Sequence, residues 1–396
     1  MSFVINLDLV RTLAAVATAC DMIHRRVQHH GERTAYLALN IGMRYGLGQE
    51  QLQQLLLSAL VHDVGVASTK EKLELADFQP PGTAISGHTQ RGHDLLLQTR
   101  FLKELARPVL HHHDEYAPGM DILPAILCLA DRVEFLLDRE QYALWQVSSI
   151  VETVNAHKGR LFHPDLVECF TDLANTPSLW LDLESGNYIK LLQRYPAMSR
   201  LIGLDELEDI AELFAKIVDS KSPYTAMHSS GLADKVGRMA EIMGMGTEKT
   251  RQLRTAALLH DIGKLAVSEE ILLYPGKLSK EDMDIMKQHS YHTYHLLGMI
   301  GEGVESIQTW AAYHHERLDG SGYPFSLTAE HLDTEARLVA VLDVFQALTE
   351  ERPYRQALSA DTAAGILEAE ARAGRLDPDI VALVIDHRAE LVNPTA

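Results

Sequence analysis

The chain has 396 residues, of which 46% are hydrophobic, and a formal net charge of -19 at pH 7. This length favours two domains over a single core, and the negative charge argues against general binding to DNA or RNA backbones. No apolar run is long enough to span a bilayer, and the segment Met1–Asn6 lacks the basic region of a signal peptide. Three scattered cysteines without metal or redox spacing fit a reducing compartment, so we expect a cytoplasmic protein.

Helical periodicity runs through the chain, and no strand pattern of any length interrupts it. In chain order, the apolar spacing predicts helices over about 7–28, 30–45, 49–63, 140–185, 204–220 and 337–348. Turn residues around Gly186 and Pro196 indicate a connection between domains. The sequence therefore predicts an all-α protein with helical-bundle domains at 1–185 and 205–396, joined by a linker at 186–204.

The second domain contains an adjacent histidine and aspartate at the end of an apolar helix. His260 and Asp261 are followed by Gly263, which marks the helix end, and Lys264 lies on the same helix face as His260. Imidazoles and carboxylates without thiolates suit iron, manganese, nickel or zinc. The pair alone is weak evidence of a metal site, but further candidate ligands occur at His228, His289, His314, His315 and Asp343.

The first domain repeats this set of candidate ligands. His30 precedes His62 by 32 residues, and His228 precedes His260 by the same interval. The matching residues of the first domain are His30, His62, Asp63, His88, His112, His113 and Asp131. Val66, however, stands where the second domain has Lys264. We therefore predict an accessory or regulatory first domain, and the sequence leaves open whether its histidines bind metal or are ordinary polar residues.

Three motifs in the second half of the chain carry a family resemblance. They are HDIGK at 260–264, HHERLDGSGYP at 314–324 and RPYR at 352–355. Together they resemble the HD-GYP family of metal-dependent cyclic dinucleotide phosphodiesterases, over roughly residues 205–390. The resemblance implies two tandem HD-type domains, of which only the second has the motifs of the catalytic domain.

The resemblance also implies two divalent metal ions in the second domain. One ion would be bound by His228, His260, Asp261 and Asp343, and Asp261 would bridge to another bound by His289, His314 and His315. Iron or manganese is expected first, with nickel or zinc as alternatives. Some members of the family carry a glutamate four residues before the first histidine, which supports a third ion. Tyr224 stands at that position here, so we predict two.

The chemistry implied is hydrolysis of a phosphodiester. Two cations neutralise the diester and activate a water for in-line attack, with Asp261 as the shared ligand. Lys264 is the candidate for binding a phosphate oxygen or assisting the leaving group. By resemblance, further substrate contacts come from Asp319, Gly320, Gly322, Tyr323 and Pro324 of the signature loop and from Arg352 and Arg355, although the two arginines could equally clamp the loop.

The function expected first is hydrolysis of 3′,5′-cyclic di-GMP to linear pGpG, with onward cleavage to GMP left open. Hydrolysis of 3′,3′-cyclic GMP-AMP is the alternative within the class, because the sequence does not reveal the base preference. An alternative of another class is a non-catalytic sensor of cyclic dinucleotide or metal that acts through protein contacts. A nucleotide phosphohydrolase of the wider HD superfamily is disfavoured by the intact Gly-Tyr-Pro loop. A homodimer or a signalling partner remains open, and neither DNA nor a membrane is expected as a partner.

Overall fold

A computed structural model of the chain describes residues 5–77, 87–193, 200–221, 228–351 and 356–392. These residues confirm the all-α prediction. Within the described ranges, the only pair of strands is the short antiparallel ladder of β1 (Leu7–Asp8) and β2 (Leu201–Ile202). No helix in these ranges is both long enough and apolar enough to cross a bilayer.

The chain divides into two compact units, the first of which comprises Leu7–Ile202. Asp8 begins the first helix of this unit as its N-cap, since its carboxylate accepts a hydrogen bond from the Arg11 amide. The helices of the first unit are α1 (Leu9–Asp21), α2 (His30–Tyr45), α3 (Gln49–Val61), α4 (Thr69–Leu75), α5 (His88–Leu97), α6 (Ala106–His111), α7 (Ile122–Leu136), α8 (Ala143–Ala156), α9 (Pro164–Leu173), α10 (Pro177–Ser185) and α11 (Tyr188–Gln193).

The second unit comprises the residues from Gly203 onward, together with the described residues before Leu7. Its first helix has the bounds that the sequence predicts. The helices of the second unit are α12 (Leu204–Ser220), α13 (His228–Ile242), α14 (Thr247–Leu259), α15 (Glu269–Leu272), α16 (Lys280–Met286), α17 (Gln288–Ile300), α18 (Glu305–Ala312), α19 (Thr334–Thr349), α20 (Ala360–Arg372), α21 (Pro378–Asp386) and α22 (Arg388–Val392).

The segment predicted to be a linker, 186–204, belongs largely to the first unit. Tyr188 and Leu192 of α11 are buried, and α11 packs against α1 and α2. Ile202 in β2 is also buried and pairs with Leu7 in β1. The prediction rested on turn residues, whereas burial of these apolar side chains and the strand pairing tie most of the segment to the first unit.

The internal repeat appears as a matching arrangement of helices in the two units. α2 packs against α3 and α7, and α13 packs in the same way against α14 and α19. Both central helices begin at a candidate ligand, His30 or His228, and α3 and α14 both end directly before a His-Asp pair. The candidate ligands of each unit therefore meet at corresponding ends of the packed helices.

Candidate metal centre

The second unit brings the seven candidate ligands together. His228, His260 and Asp261 form one group, and His289, His314 and His315 form another; within each group the ligand atoms lie within 4.8 Å of one another. All of these residues except His315 are buried, as is Asp343. The arrangement therefore offers two adjacent sets of nitrogen and oxygen donors in the protein interior.

Asp261 lies between the two groups. Its Oδ2 atom is 3.1 Å from His260 Nε2, and its Oδ1 atom is 3.5 Å from His289 Nε2. Asp343 Oδ1 lies 3.8 Å from His228 Nε2 and 3.9 Å from His260 Nε2. Each oxygen of Asp261 thus faces a different group, which is the geometry that a bridging carboxylate requires.

Three of the histidines are oriented by the backbone at helix ends. His260 Nδ1 donates a hydrogen bond to the carbonyl of Ala257 at 2.7 Å. His289 and His314 donate in the same way to the carbonyls three residues before them, at 2.7 and 2.6 Å. Because Nδ1 carries the proton in this arrangement, the Nε2 lone pair is directed into the site. His260 Nε2 is buried and makes no hydrogen bond, as expected of an atom that binds a metal ion.

His228 is oriented by a carboxylate instead. Its Nδ1 atom lies 2.7 Å from Glu350 Oε2. The Gln346 side chain donates to the His228 carbonyl and to Glu350 Oε1, each at 2.6 Å. Sequence reasoning did not identify Glu350, which follows Asp343 by seven residues and belongs to no motif that was considered.

Burial sets the protonation of the ligands. It lowers the pKa of His289 to about 4 and that of His314 to about 3, so both imidazoles are neutral and available to a metal at neutral pH. Burial alone would raise the pKa of the Asp261 carboxyl, but His260 and Lys264 outweigh it and hold that pKa well below its usual range. His289 and His314 therefore place neutral imidazoles beside the ionised Asp261 carboxylate, whereas that carboxylate raises the pKa of His260 against the effect of burial.

Lys264 contacts the shared carboxylate directly. It lies in the 3₁₀ turn Ile262–Ala266 that follows α14, and its Nζ atom is 2.5 Å from Asp261 Oδ2. Its side chain is 25% exposed and lines a cavity of about 320 Å³. The other lining residues include Asp219, Tyr274, Met283, Met286 and Glu350. Lys264 can thus reach both the carboxylate and any ligand that occupies the cavity.

Asp219 is a cavity residue that sequence reasoning missed. Burial raises the pKa of its carboxyl to about 6, and Ser229 donates a hydrogen bond to it at 3.2 Å. It precedes His228 by nine residues, and Asp21 precedes His30 by the same nine. The internal repeat contained the signal that would have found it.

Gly263 allows the segments that carry the candidate ligands to approach closely. A Cβ atom at this position would lie 1.9 Å from the carbonyl oxygen of His289. The Gly263 amide donates to Thr293 Oγ1 at 3.1 Å, and that hydroxyl donates to the His260 carbonyl at 2.9 Å. The turn after His260 and Asp261 is thus fixed directly against the helix that carries His289.

The signature loop is fixed by a buried glutamate that sequence reasoning did not single out. Glu316 accepts hydrogen bonds from the amides of Phe325 and Leu327, at 2.7 and 2.9 Å. The Tyr323–Pro324 peptide bond within this loop is cis. The Tyr323 ring lies 4.7 Å from the His315 ring and lines the cavity.

Other predicted substrate contacts lie away from the cavity wall or outside the described residues. Asp319 is bound to Ser321, through the Ser321 amide at 3.0 Å and its hydroxyl at 2.6 Å. Asp319, Gly320, Gly322 and Pro324 do not line the cavity, whereas Lys264 and Tyr323 do. Arg352, Arg355 and Tyr224 lie outside the described residues.

The first unit also brings its candidate ligands together. His30, His62 and Asp63 form one group, and His88, His112 and His113 form another. Asp63 again lies between them, with Oδ2 3.3 Å from His62 Nε2 and Oδ1 3.5 Å from His88 Nε2. Asp131 Oδ1 lies 3.1 Å from His30 Nε2, while its buried Oδ2 atom makes no hydrogen bond. By geometry alone, this cluster also fits metal ions.

A lysine from a different part of the sequence occupies this first-unit site. Lys72 on α4 is fully buried, with Nζ 2.6 Å from Asp63 Oδ2 and 2.8 Å from Asp21 Oδ1. Val66 stands at the sequence position that matches Lys264, so no lysine occurs there. Lys72 nevertheless supplies an ammonium group to Asp63, the carboxylate that corresponds to Asp261. The cavity beside it measures only about 10 Å³, which is room for roughly one water molecule.

Comparisons with known proteins agree with this architecture. Residues 27–136 and 212–380 each match a family model described as the HD domain. The 3′3′-cGAMP-specific phosphodiesterase 1 of Vibrio cholerae is 32% identical over 96% of this chain and 92% of its own length. Phosphodiesterase 3 of the same specificity and organism is 28% identical over 91% and 90%. A cyclic di-GMP phosphodiesterase response regulator of Xanthomonas campestris pv. campestris is 38% identical over 51% and 53%.

A solved structure shows the same fold over the full length. The crystal structure of a V. cholerae cyclic GMP-AMP specific phosphodiesterase, V-cGAP3, matches with a TM-score of 0.68 and 23% identity, and the match covers 99% of each chain. Fold and site together define a protein with two tandem HD domains. With these relatives, the chain belongs to the HD-GYP family of cyclic dinucleotide phosphodiesterases.

Proposed function

We propose that the second unit hydrolyses a phosphodiester bond of a 3′,3′-cyclic dinucleotide with the help of two divalent metal ions. The observation that carries this proposal is the position of Asp261, whose two oxygens face separate groups of histidines beside a cavity. One ion is assigned to His228, His260, Asp261 and Asp343, and the other to Asp261, His289, His314 and His315. When bound, such ions neutralise the charge of a diester and lower the pKa of an attacking water.

The protein's own side chains orient the ligands and the substrate. Glu350 holds the His228 ring through Nδ1, which keeps Nε2 directed toward Asp343 and Asp261. Lys264 is the cation that can bind a phosphate oxygen, because its ammonium group is in contact with Asp261 and exposed to the cavity. As charge builds on that oxygen in the transition state, a fixed ammonium group stabilises it.

We propose 3′,3′-cyclic GMP-AMP as the first substrate and cyclic di-GMP as the second. The relatives named for 3′3′-cGAMP align over nine-tenths or more of this chain and of their own length. The relative named for cyclic di-GMP aligns over about half of each chain, although at higher identity. This preference reverses the order expected from the sequence alone, which put cyclic di-GMP first but did not reveal the base preference. The immediate product of either substrate is the linear dinucleotide.

Turnover of the two dinucleotides by one preparation tests this proposal. The full-length protein is loaded with Mn²⁺ or Fe²⁺ under reducing conditions, its metal content is measured, and products are separated by chromatography. We expect linear product from both substrates, faster from cyclic GMP-AMP. The His260→Ala, Asp261→Ala variant should be inactive, whereas His62→Ala, at the first-unit position that matches His260, should retain turnover.

Each alternative has its own outcome in the same experiment. Faster turnover of cyclic di-GMP would reverse the order of substrates. Bound metal and bound dinucleotide without any linear product would contradict hydrolysis and favour a sensor. Activity that survives His260→Ala, Asp261→Ala but not His62→Ala would place the reaction in the first unit and contradict the proposed site.

A further inference from the structure

Buried basic side chains reach into the ligand cluster of the first unit. Lys72 lies between Asp21 and Asp63, at 2.8 and 2.6 Å from their carboxylate oxygens. Arg132 is 1% exposed, and its Nη2 atom lies 3.3 Å from His113 Nδ1. An imidazole nitrogen that accepts a hydrogen bond from a guanidinium has no lone pair left for a metal ion. Two side-chain cations thus already contact groups that would otherwise bind metal.

Two further arginines neutralise the buried carboxylate that orients His30. Glu134 Oε2 lies 2.6 Å from His30 Nδ1, so Glu134 does for His30 what Glu350 does for His228. Its Oε1 atom is 2.9 Å from Arg33 Nε and 2.8 Å from Arg139 Nη2. Glu350, by contrast, accepts its hydrogen bond from the neutral amide of Gln346.

At the sequence positions that match these four cations, the second unit has no basic residue, although Lys264 contacts Asp261 as Lys72 contacts Asp63. Measured from the first histidine of the repeat, Arg33 corresponds to Gly231. Counted from Asp63 and Asp261, Lys72 corresponds to Glu270. Counted from Asp131 and Asp343, Arg132 and Arg139 correspond to Val344 and Glu351. The first unit has therefore kept the ligand-type residues of the repeat but differs in the charges around them.

The charge balance of the two sites differs as a result. In the first unit, Asp21, Asp63, Asp131 and Glu134 are equalled in number by the four side-chain cations, although Arg132 contacts His113 and not a carboxylate. The cavity that the described residues form beside Lys72 measures only about 10 Å³, too small for a dinucleotide. Two divalent ions would add four uncompensated positive charges to a buried volume, which is strongly unfavourable. In the second unit, the cavity is lined by Asp219, Asp261, Asp343 and Glu350 and has room for phosphates; among the residues that the structure describes, Lys221 and Lys264 are the lysines and arginines that line it.

We propose that Lys72 and Arg132 supply, inside the first unit, the positive charge that metal ions supply in the second. The first unit then keeps a metal-free cluster of histidines and carboxylates that buried basic side chains neutralise, beside a described cavity of only about 10 Å³. The comparison rests on the proposed function of the second unit. The first unit itself is predicted to bind no divalent ion with the affinity of the second.

Metal content of full-length variants tests this inference. Wild type, His62→Ala and His260→Ala, Asp261→Ala are loaded anaerobically with Mn²⁺, desalted and analysed by elemental mass spectrometry. We expect about two ions per chain for wild type and for His62→Ala, and none for the double variant. One or two ions retained by the double variant, and lost on adding His62→Ala, would overturn the proposal. Wild type without metal would contradict the proposed function and leave this inference standing.

A gain of metal binding provides a second, independent test. Lys72→Met with Arg132→Met in the His260→Ala, Asp261→Ala background removes the two internal cations, and folding is checked by circular dichroism. We expect the folded variant to bind Mn²⁺, and to melt higher when Mn²⁺ is added. Lys70→Met, at an exposed site on the same helix, is the control and should remain metal-free. A folded variant that still binds no Mn²⁺ would show that charge does not exclude the metal, which overturns the argument.

Discussion

Adding one methyl group at Gly263 should disable the second unit's site without replacing any proposed ligand. The new Cβ atom in Gly263→Ala would lie 1.9 Å from the carbonyl oxygen of His289 and 2.8 Å from the amide nitrogen of Thr293. Relief of these contacts requires the first turn of α17 to move by at least about 1 Å relative to the turn that carries Asp261. Overpacking of this kind costs about 1–3 kcal/mol of stability. A displacement of about 1 Å at a reacting centre can lower the rate roughly 100-fold.

The assay compares kcat, metal content and melting temperature of Gly263→Ala with those of two matched variants. Gly365→Ala lies inside α20, where nothing is within 4 Å of the added atom, so it should leave activity unchanged and stabilise the protein by about 0.5–1 kcal/mol. Gly65→Ala would place its Cβ atom 2.1 Å from the His88 carbonyl, so it should destabilise the first unit while turnover persists. Wild-type kcat and metal content in Gly263→Ala would refute the reasoning.

Three further outcomes follow from contacts in the second unit. Lys264→Met should lower kcat by about 100-fold with metal content intact, if the ammonium group binds phosphate as proposed and is no metal ligand; loss of metal from this variant would contradict the proposed role. Glu350→Gln should weaken metal binding roughly 10–100-fold by loosening His228, as measured by chelator competition, and activity should return at saturating metal. EDTA should abolish turnover and lower the melting temperature of the second unit, both reversed by Mn²⁺; a melting curve indifferent to EDTA would argue against a metal between α14, α17 and α18.

The features that sequence reasoning predicted are those that local patterns encode. Apolar periodicity predicts helices, and α2 and α12 have the predicted bounds. The repeated interval from His30 to His62 and from His228 to His260 predicts two related domains, since equal spacing between like residues indicates equivalent positions in a repeated fold. The same interval indicated which residues converge, although their roles as ligands remain proposals.

The features that it missed depend on contacts between distant parts of the chain. Lys72 reaches Asp63 from α4, so the comparison of Val66 with Lys264 overlooked an ammonium group that tertiary packing supplies. Glu134 and Glu350 orient matching histidines from different spacings, three and seven residues after the respective aspartates. A search for one fixed interval would miss both glutamates. Their side chains reach the imidazoles from different backbone positions.

The hydrogen bond from histidine Nδ1 to a carbonyl three residues earlier also has a structural role that does not depend on metal binding. In the first unit, His62 makes it to Ala59 and His112 to Val109, at 2.7 and 2.6 Å. Each ring thereby satisfies one of the carbonyls that a helix leaves without an intrahelical partner at its C-terminus. Replacing such a histidine would leave a buried acceptor unpaired, whether or not an ion is ever bound. A ligand-like histidine at a helix end can therefore be required by the helix it terminates, with or without a bound metal ion.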